Sequence, residues 1–231
     1  MKKKLSLLLI CLSAVFMFSF AIAEPSGAEV TPGTSSRMNA TEAGNHSAQA
    51  GNLTEITLYS EVITRSWQGY FGNVSGAIRL ADSSGNNMYN WSLASASGQV
   101  YATYNSSISW TEVECLDWAT EGEDLESLFG VSSTHSDRVN ETFSDSTDHS
   151  GFLVGSKEIT ENTCMAVNLF DEDGEGAFEE VLLSDGTTAI FTSIINSGTG
   201  FDGNSYDFQM IVLEDGRDTE TTTYYFYVEI E

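Results

Sequence analysis

The chain has 231 residues, 34 acidic and nine basic side chains, a formal charge of −25 and an isoelectric point near 4.1. Such a surface repels nucleic acid and anionic lipid, which excludes both as partners. With 41% hydrophobic residues the chain is long enough to bury one substantial core.

Lys2, Lys3 and Lys4 precede an apolar run from Leu5 to Phe20, and Ala21-Ile22-Ala23 stands before Glu24-Pro25. A positive start, an apolar stretch too short to span comfortably and an A-x-A site together predict a secretory signal peptide over residues 1–23. The mature protein is then expected outside the cell, with no stable membrane insertion after cleavage. All 34 acids follow residue 23, against only six of the nine bases, so the remainder carries about −28 (six minus 34). Its only lysine is Lys157; the other bases are Arg37, Arg65, Arg79, Arg138 and Arg217. At 1 M salt the Debye length is roughly 3 Å, so a salty exterior relieves the self-repulsion and a halophilic setting suits the composition. Cys11 leaves with the leader. Cys115 and Cys164 remain, an even pair in an oxidising compartment, and a disulfide between them is expected.

Residues 24–52 are rich in Gly, Ser, Thr and Ala, contain both prolines and carry almost no large apolar side chain. They cannot offset their ordering entropy by burial, which predicts a disordered linker. A single β-rich domain is expected over residues 53–231. It opens on LTEITLYSEVIT, whose alternation predicts a strand, and continues with strands near 67–71, 73–81, 87–93 and 99–104. Turns rich in Asp, Ser, Gly and Asn separate them over 82–86 and 95–98.

Thr120 with Glu123 resembles a capping box, Leu125, Leu128 and Phe129 share one face, and Gly130 follows as a stop, so a short helix is expected over 120–129. A further helical turn is expected within 137–143. Strands return at 152–154, 163–170, 188–195, 206–213 and 222–230. Residues 178–183 (FEEVLL) fit helix and strand equally. The turn over 214–218 predicts a hairpin between the last two strands. In the last one, Tyr224, Phe226, Val228 and Ile230 oppose Tyr225, Tyr227 and Glu229, with one face expected to be fully buried and the other half-wet. The fold class expected is mainly β, an antiparallel β-sandwich-like domain with one or two short helices.

Three pieces carry a resemblance: WQGYFGNVSGAIRLADSSGNNMYNW, GFDGNSYDFQMIVLEDG and TTTYYFYVEIE. The chain resembles a group of exported archaeal cell-surface or envelope proteins with a Trp-x-Gly-x-x-Gly-Asn-Val-Ser-Gly element and a Tyr-rich last strand. The match runs over most of residues 61–231. The resemblance implies a surface location and β architecture, and supplies no catalytic residues.

Seven of the 13 asparagines begin an Asn-x-Ser/Thr sequon: Asn39, Asn45, Asn52, Asn73, Asn90, Asn105 and Asn140. That excess points to N-glycosylation of an exported protein, with Asn90 the doubtful site because it sits between Tyr89 and Trp91 in a strand. Two acidic turns offer oxygen ligands for Ca2+: Asp171, Asp173 and Glu175, and Asp202, Asn204 and Asp207. Leu182 at the twelfth position rules out an EF-hand, and solvated acidic turns are the commoner case in so acidic a chain. No other cofactor is expected. His46, His135 and His149 fall in no catalytic motif, and no nucleophile elbow, phosphate loop or dinucleotide fingerprint occurs. The leading expectation is a non-enzymatic secreted or cell-surface glycoprotein, envelope-associated, S-layer-associated or adhesive, with other surface proteins or glycans as partners. A secreted carbohydrate-binding module, with Trp or Tyr lining one exposed face, and a secreted hydrolase are the alternatives.

Overall fold

The computed structural model describes residues 24–92, 96–216 and 221–230. The expected leader lies outside the described residues, as do Leu93, Ser95, Arg217 and Glu231. The strands, in chain order, are β1 (Ser26–Gly27), β2 (Trp67–Gly72), β3 (Ala77–Ala81), β4 (Asn87–Ser92), β5 (Gly98–Thr103) and β6 (Glu114–Cys115). They continue with β7 (Phe152–Val154), β8 (Lys157–Ile159), β9 (Ala166–Phe170), β10 (Gly176–Ser184) and β11 (Ala189–Ile194). The last are β12 (Gly198–Thr199), β13 (Ser205–Tyr206), β14 (Phe208–Leu213) and β15 (Tyr225–Ile230).

A seven-stranded antiparallel sheet runs β1-β15-β5-β11-β10-β6, with β9 also paired to β10. Its successive side chains alternate between two cores, as the strand period of two requires. Val100, Ala102, Leu182 and Phe191 face one side, where β14 lays Met210 and Val212 and the helical segment lays Leu125, Phe129, Val139 and Phe143. Tyr101, Val181, Leu183 and Ile190 face the other, covered by Phe152, Val154 and Ile159 of the β7–β8 hairpin and by Val113. The fold is thus mainly β, antiparallel and sandwich-like. Both faces of the central strands are dry, and every residue of β5 is buried. This is why FEEVLL showed no clean alternation: it lies inside β10, whose inner stretch is apolar on both sides.

The disulfide joins Cys115 to Cys164 with Cα atoms 5.0 Å apart, as expected. It ties β6 to the loop before β9 and closes a separation of 49 residues, worth about 4 kcal/mol in the chain-entropy model. His149 is buried beside it. Its Nε2 accepts the Thr163 and Cys164 N–H groups at 3.1 and 3.0 Å, and its Nδ1 lies 2.9 Å from the Ser150 carbonyl, to which it donates.

The helical segment starts earlier than expected. Asp117, not Thr120, is the cap: its carboxylate accepts the Ala119 N–H, and Glu121 reaches back to the Asp117 N–H. A wide turn over Trp118–Gly122 leads into the α-helix Glu123–Leu128, and a Cβ on Gly122 would strike the Trp118 ring. Gly130 does end the helix, at φ +66, with Val131 N–H bonded to Glu126 O and Gly130 N–H to Ser127 O, a Schellman closure. The second helix is Val139–Thr142, whose first N–H is received by the buried Glu126 carboxylate at 3.0 Å.

Four expectations need correction. LTEITLYSEVIT forms no strand; residues 29–62 are exposed and pair with none of the described strands, so the alternation has nothing to bury against. The low-complexity stretch is not wholly a linker, since Ser26–Gly27 docks on β15 (Ser26↔Val228, Gly27↔Tyr227) and Pro25 is buried. The last two long strands form no hairpin. β14 pairs with β2 and β15 with β5, so residues 214–216 and 221–224 carry the chain between sheets. Within β15 the most buried side chain is Glu229, not a member of the apolar set: it accepts the Tyr101 hydroxyl at 3.1 Å and the Gly155 N–H at 3.0 Å.

Candidate interaction surface

The residues 77–92 hairpin stands apart from both cores. Its turn builds itself locally. The Asp82 carboxylate accepts N–H groups of Ser84 (2.9 Å) and Asn86 (2.8 Å) and the Asn86 side-chain amide (2.8 Å), and Gly85 adopts φ +82. These bonds, the Asn86 amide foremost, hold Asp82 below its ordinary value. The register Ile78↔Trp91 and Leu80↔Tyr89 gathers four apolar side chains on one face, while Arg79↔Asn90 lie on the other. All four are exposed: Ile78 54%, Leu80 52%, Tyr89 59% and Trp91 48%. The Tyr89 and Trp91 rings meet edge to face, centroids 4.9 Å apart at 66°. A ribbon with an open apolar face on an otherwise acidic molecule is the feature of this fold most suited to contact.

The tryptophans divide accordingly. Trp67 is half-buried and donates to the Asp137 carbonyl at 2.6 Å, and Trp110 is half-buried between Tyr101 and Tyr227. Trp118 is half-buried as well, so of the four only Trp91 is exposed. Alternation alone does not separate core aromatics from exposed ones: Tyr89 and Trp91 face solvent, as does Phe71, which is 45% exposed.

Six sequon asparagines are exposed: Asn39, Asn45, Asn52, Asn73, Asn90 and Asn105. Asn90, doubtful from its neighbours, points away from Tyr89 and Trp91 onto the polar face beside Arg79. Asn140 differs, being half-buried in the second helix with its Oδ1 shut away and unpartnered.

The two acidic turns come together, with the Glu172 carboxylate against Gly203. The carboxylates of Asp171, Asp202 and Asp207 are occupied by the chain, while Asp173 and Glu175 are exposed. Asp171 Oδ1 accepts the Asp173 and Glu175 N–H groups, and Asp202 accepts the Asn204 N–H, the Asn204 amide and the Tyr206 hydroxyl. Asp207 accepts the Val74 N–H at 2.9 Å and the Ser197 hydroxyl at 2.6 Å, clamping β2 to β14. Among the described residues no group of three His, Cys, Asp or Glu side chains is arranged to hold a metal ion, and none of the helices is long and apolar enough to cross a membrane.

Among the described residues, Glu180 is the one fully buried carboxyl with an orphaned oxygen. Its Oε2 accepts the Ile211 N–H at 2.8 Å, and burial pushes its pKa well above the ordinary range. Together with Ser193, whose hydroxyl donates to the Gln209 carbonyl at 2.8 Å, it satisfies the edge of β14 that faces away from β2. No period or motif marks such a role; it exists only once β14 lies on the sheet. No family model, no curated protein and no solved structure matches the chain.

Proposed function

We propose that this is a non-enzymatic, secreted surface glycoprotein, an envelope-associated subunit whose partners are other surface proteins or glycans. The observation that carries the reading is the placement of the sequons: six of the seven asparagines are exposed, and the one inside a strand falls on the polar face of the ribbon. The disulfide and the acidic surface fit the same exterior setting. His149 is turned wholly to backbone groups, which leaves it no role as a base. The exposed Tyr89–Trp91 pair is the feature a carbohydrate-binding module would use, but rings at 66° give no flat platform for a sugar to stack on.

Glycopeptide mass spectrometry of protein from its native source tests the reading. Sugar increments are expected on Asn39, Asn45, Asn52, Asn73, Asn90 and Asn105, with the lowest occupancy at Asn140. Seven unmodified peptides would overturn it.

A further inference from the structure

We infer that β1 is an exchangeable strand: Ser26–Gly27 of one chain docks on the β15 edge of a second copy, linking surface molecules in series. The inference stands on backbone geometry and is independent of glycosylation. β1 holds β15 through two register pairs and the Ala28 N–H to Phe226 carbonyl bond at 3.0 Å. Its other anchor is the Glu24-Pro25 pair: Pro25 is buried, and the exposed Glu24 lines a cleft of about 80 Å³ together with Trp110, Val154, Gly155 and Lys157. That receptor is built without β1. Glu229 fixes the Gly155 N–H, Lys157 pairs with Glu114 at 2.6 Å, and Trp110 packs on Tyr101 and Tyr227. A short strand with so few contacts opens at low free-energy cost.

Behind it, residues 29–62 are exposed throughout before the chain is caught again at Thr64, whose hydroxyl donates to the Asp137 carboxylate at 2.6 Å, and at Ser66, whose carbonyl receives the Glu214 N–H at 2.9 Å. A coil of that length has an end-to-end distance of roughly 30 Å and a fully extended reach of about 110 Å. It can therefore seat β1 on its own sheet or on a neighbour's. The contacts are the same in both cases, so the balance depends only on concentration against the tether's effective concentration, on the order of 1 mM. About one chain in a hundred is exchanged at 10 µM and about half at 1 mM, the regime of a packed surface. Because the donor strand and the acceptor edge are different surfaces, the contact is heterologous and propagates unless it closes into a ring.

The register supplies the test. Isotope-labelled protein carrying Ser26→Cys is mixed with unlabelled protein carrying Val228→Cys in 2 M KCl and given a short oxidation pulse. Directly opposed residues of an antiparallel pair suit disulfide geometry. Each chain holds only one added thiol, so any 26–228 link joins two molecules. The collision control replaces Ser26→Cys with Ser47→Cys, which lies on the same coil. The 26–228 link should exceed the 47–228 link at least tenfold at 1 mM and fall steeply towards 10 µM. A chain carrying both Ser26→Cys and Val228→Cys should close on itself when dilute. If it closes while the mixed pair never exceeds the collision control, exchange is overturned; if it does not close even when dilute, the docked register itself is overturned.

Discussion

β5 and β4 are neighbours in sequence and alike in character. Gly98–Thr103 and Asn87–Ser92 each have six residues with an aromatic near the middle, Tyr101 in β5 and Tyr89 with Trp91 in β4. Yet every residue of β5 is buried, while Asn87 to Trp91 are all exposed. The difference is in their partners. β5 lies between β15 and β11, with layers on both faces, whereas β4 has only β3. Pattern decides that a segment can be a strand; the number of neighbours decides whether its side chains meet protein or water.

The sharpest way to break that comparison is to remove an aromatic from each region. Phe191→Ala, opposite β5 in the core, should cost about 3–5 kcal/mol and lower the thermal midpoint by roughly 10 °C or more. Trp91→Ala should stay within about 0.5 kcal/mol, since its ring supports no core. Equal losses in thermal melts would mean that the ribbon packs on the sheet. The buried histidine comes next. His149→Ala strands the Thr163 and Cys164 N–H groups beside the disulfide, and should cost about 2 kcal/mol, or about 4–8 °C. A midpoint unchanged within 1 °C would show that water replaces the imidazole.

The smallest effect depends on pH. Glu180 has its value raised by burial, so the stability tied to its neutral form is complete below its ordinary 4.5 and is lost as pH rises through the folded value. Glu180→Gln should leave the midpoint unchanged near pH 4 and raise it by a few degrees near pH 8. Parallel curves for the two proteins from pH 4 to 8 would refute the assignment.

Much of the fold was legible because period two survives wherever one face of a strand is wet, and the disulfide followed from the two cysteines left after the expected leader. What escaped was non-local. Ser26–Gly27 carries no apolar signal, because an edge strand of two residues needs only its backbone. LTEITLYSEVIT has the right pattern but pairs with none of the described strands. Adjacent strands at 208–213 and 225–230 looked like a hairpin, since nothing in either segment names β2 and β5 as their partners. The ribbon was legible as two strands, but its open face was not: exposure at Ile78 and Trp91 reflects a missing layer, which no local pattern encodes.

The position of β5 also bears on how the chain is made. Both strands that flank it, β11 and β15, are encoded far downstream, and Tyr225 meets Thr103 across more than half of the chain. Until residues 225–230 leave the ribosome, the segment Gly98–Thr103 has one open edge and a side chain set that belongs in a core. Pairings of such long range are slow to form and leave nascent strands prone to sticking. Synthesis of this protein therefore favours a route that keeps the chain extended until its final strand is available, and dense negative charge on the intervening turns helps to hold unfinished copies apart.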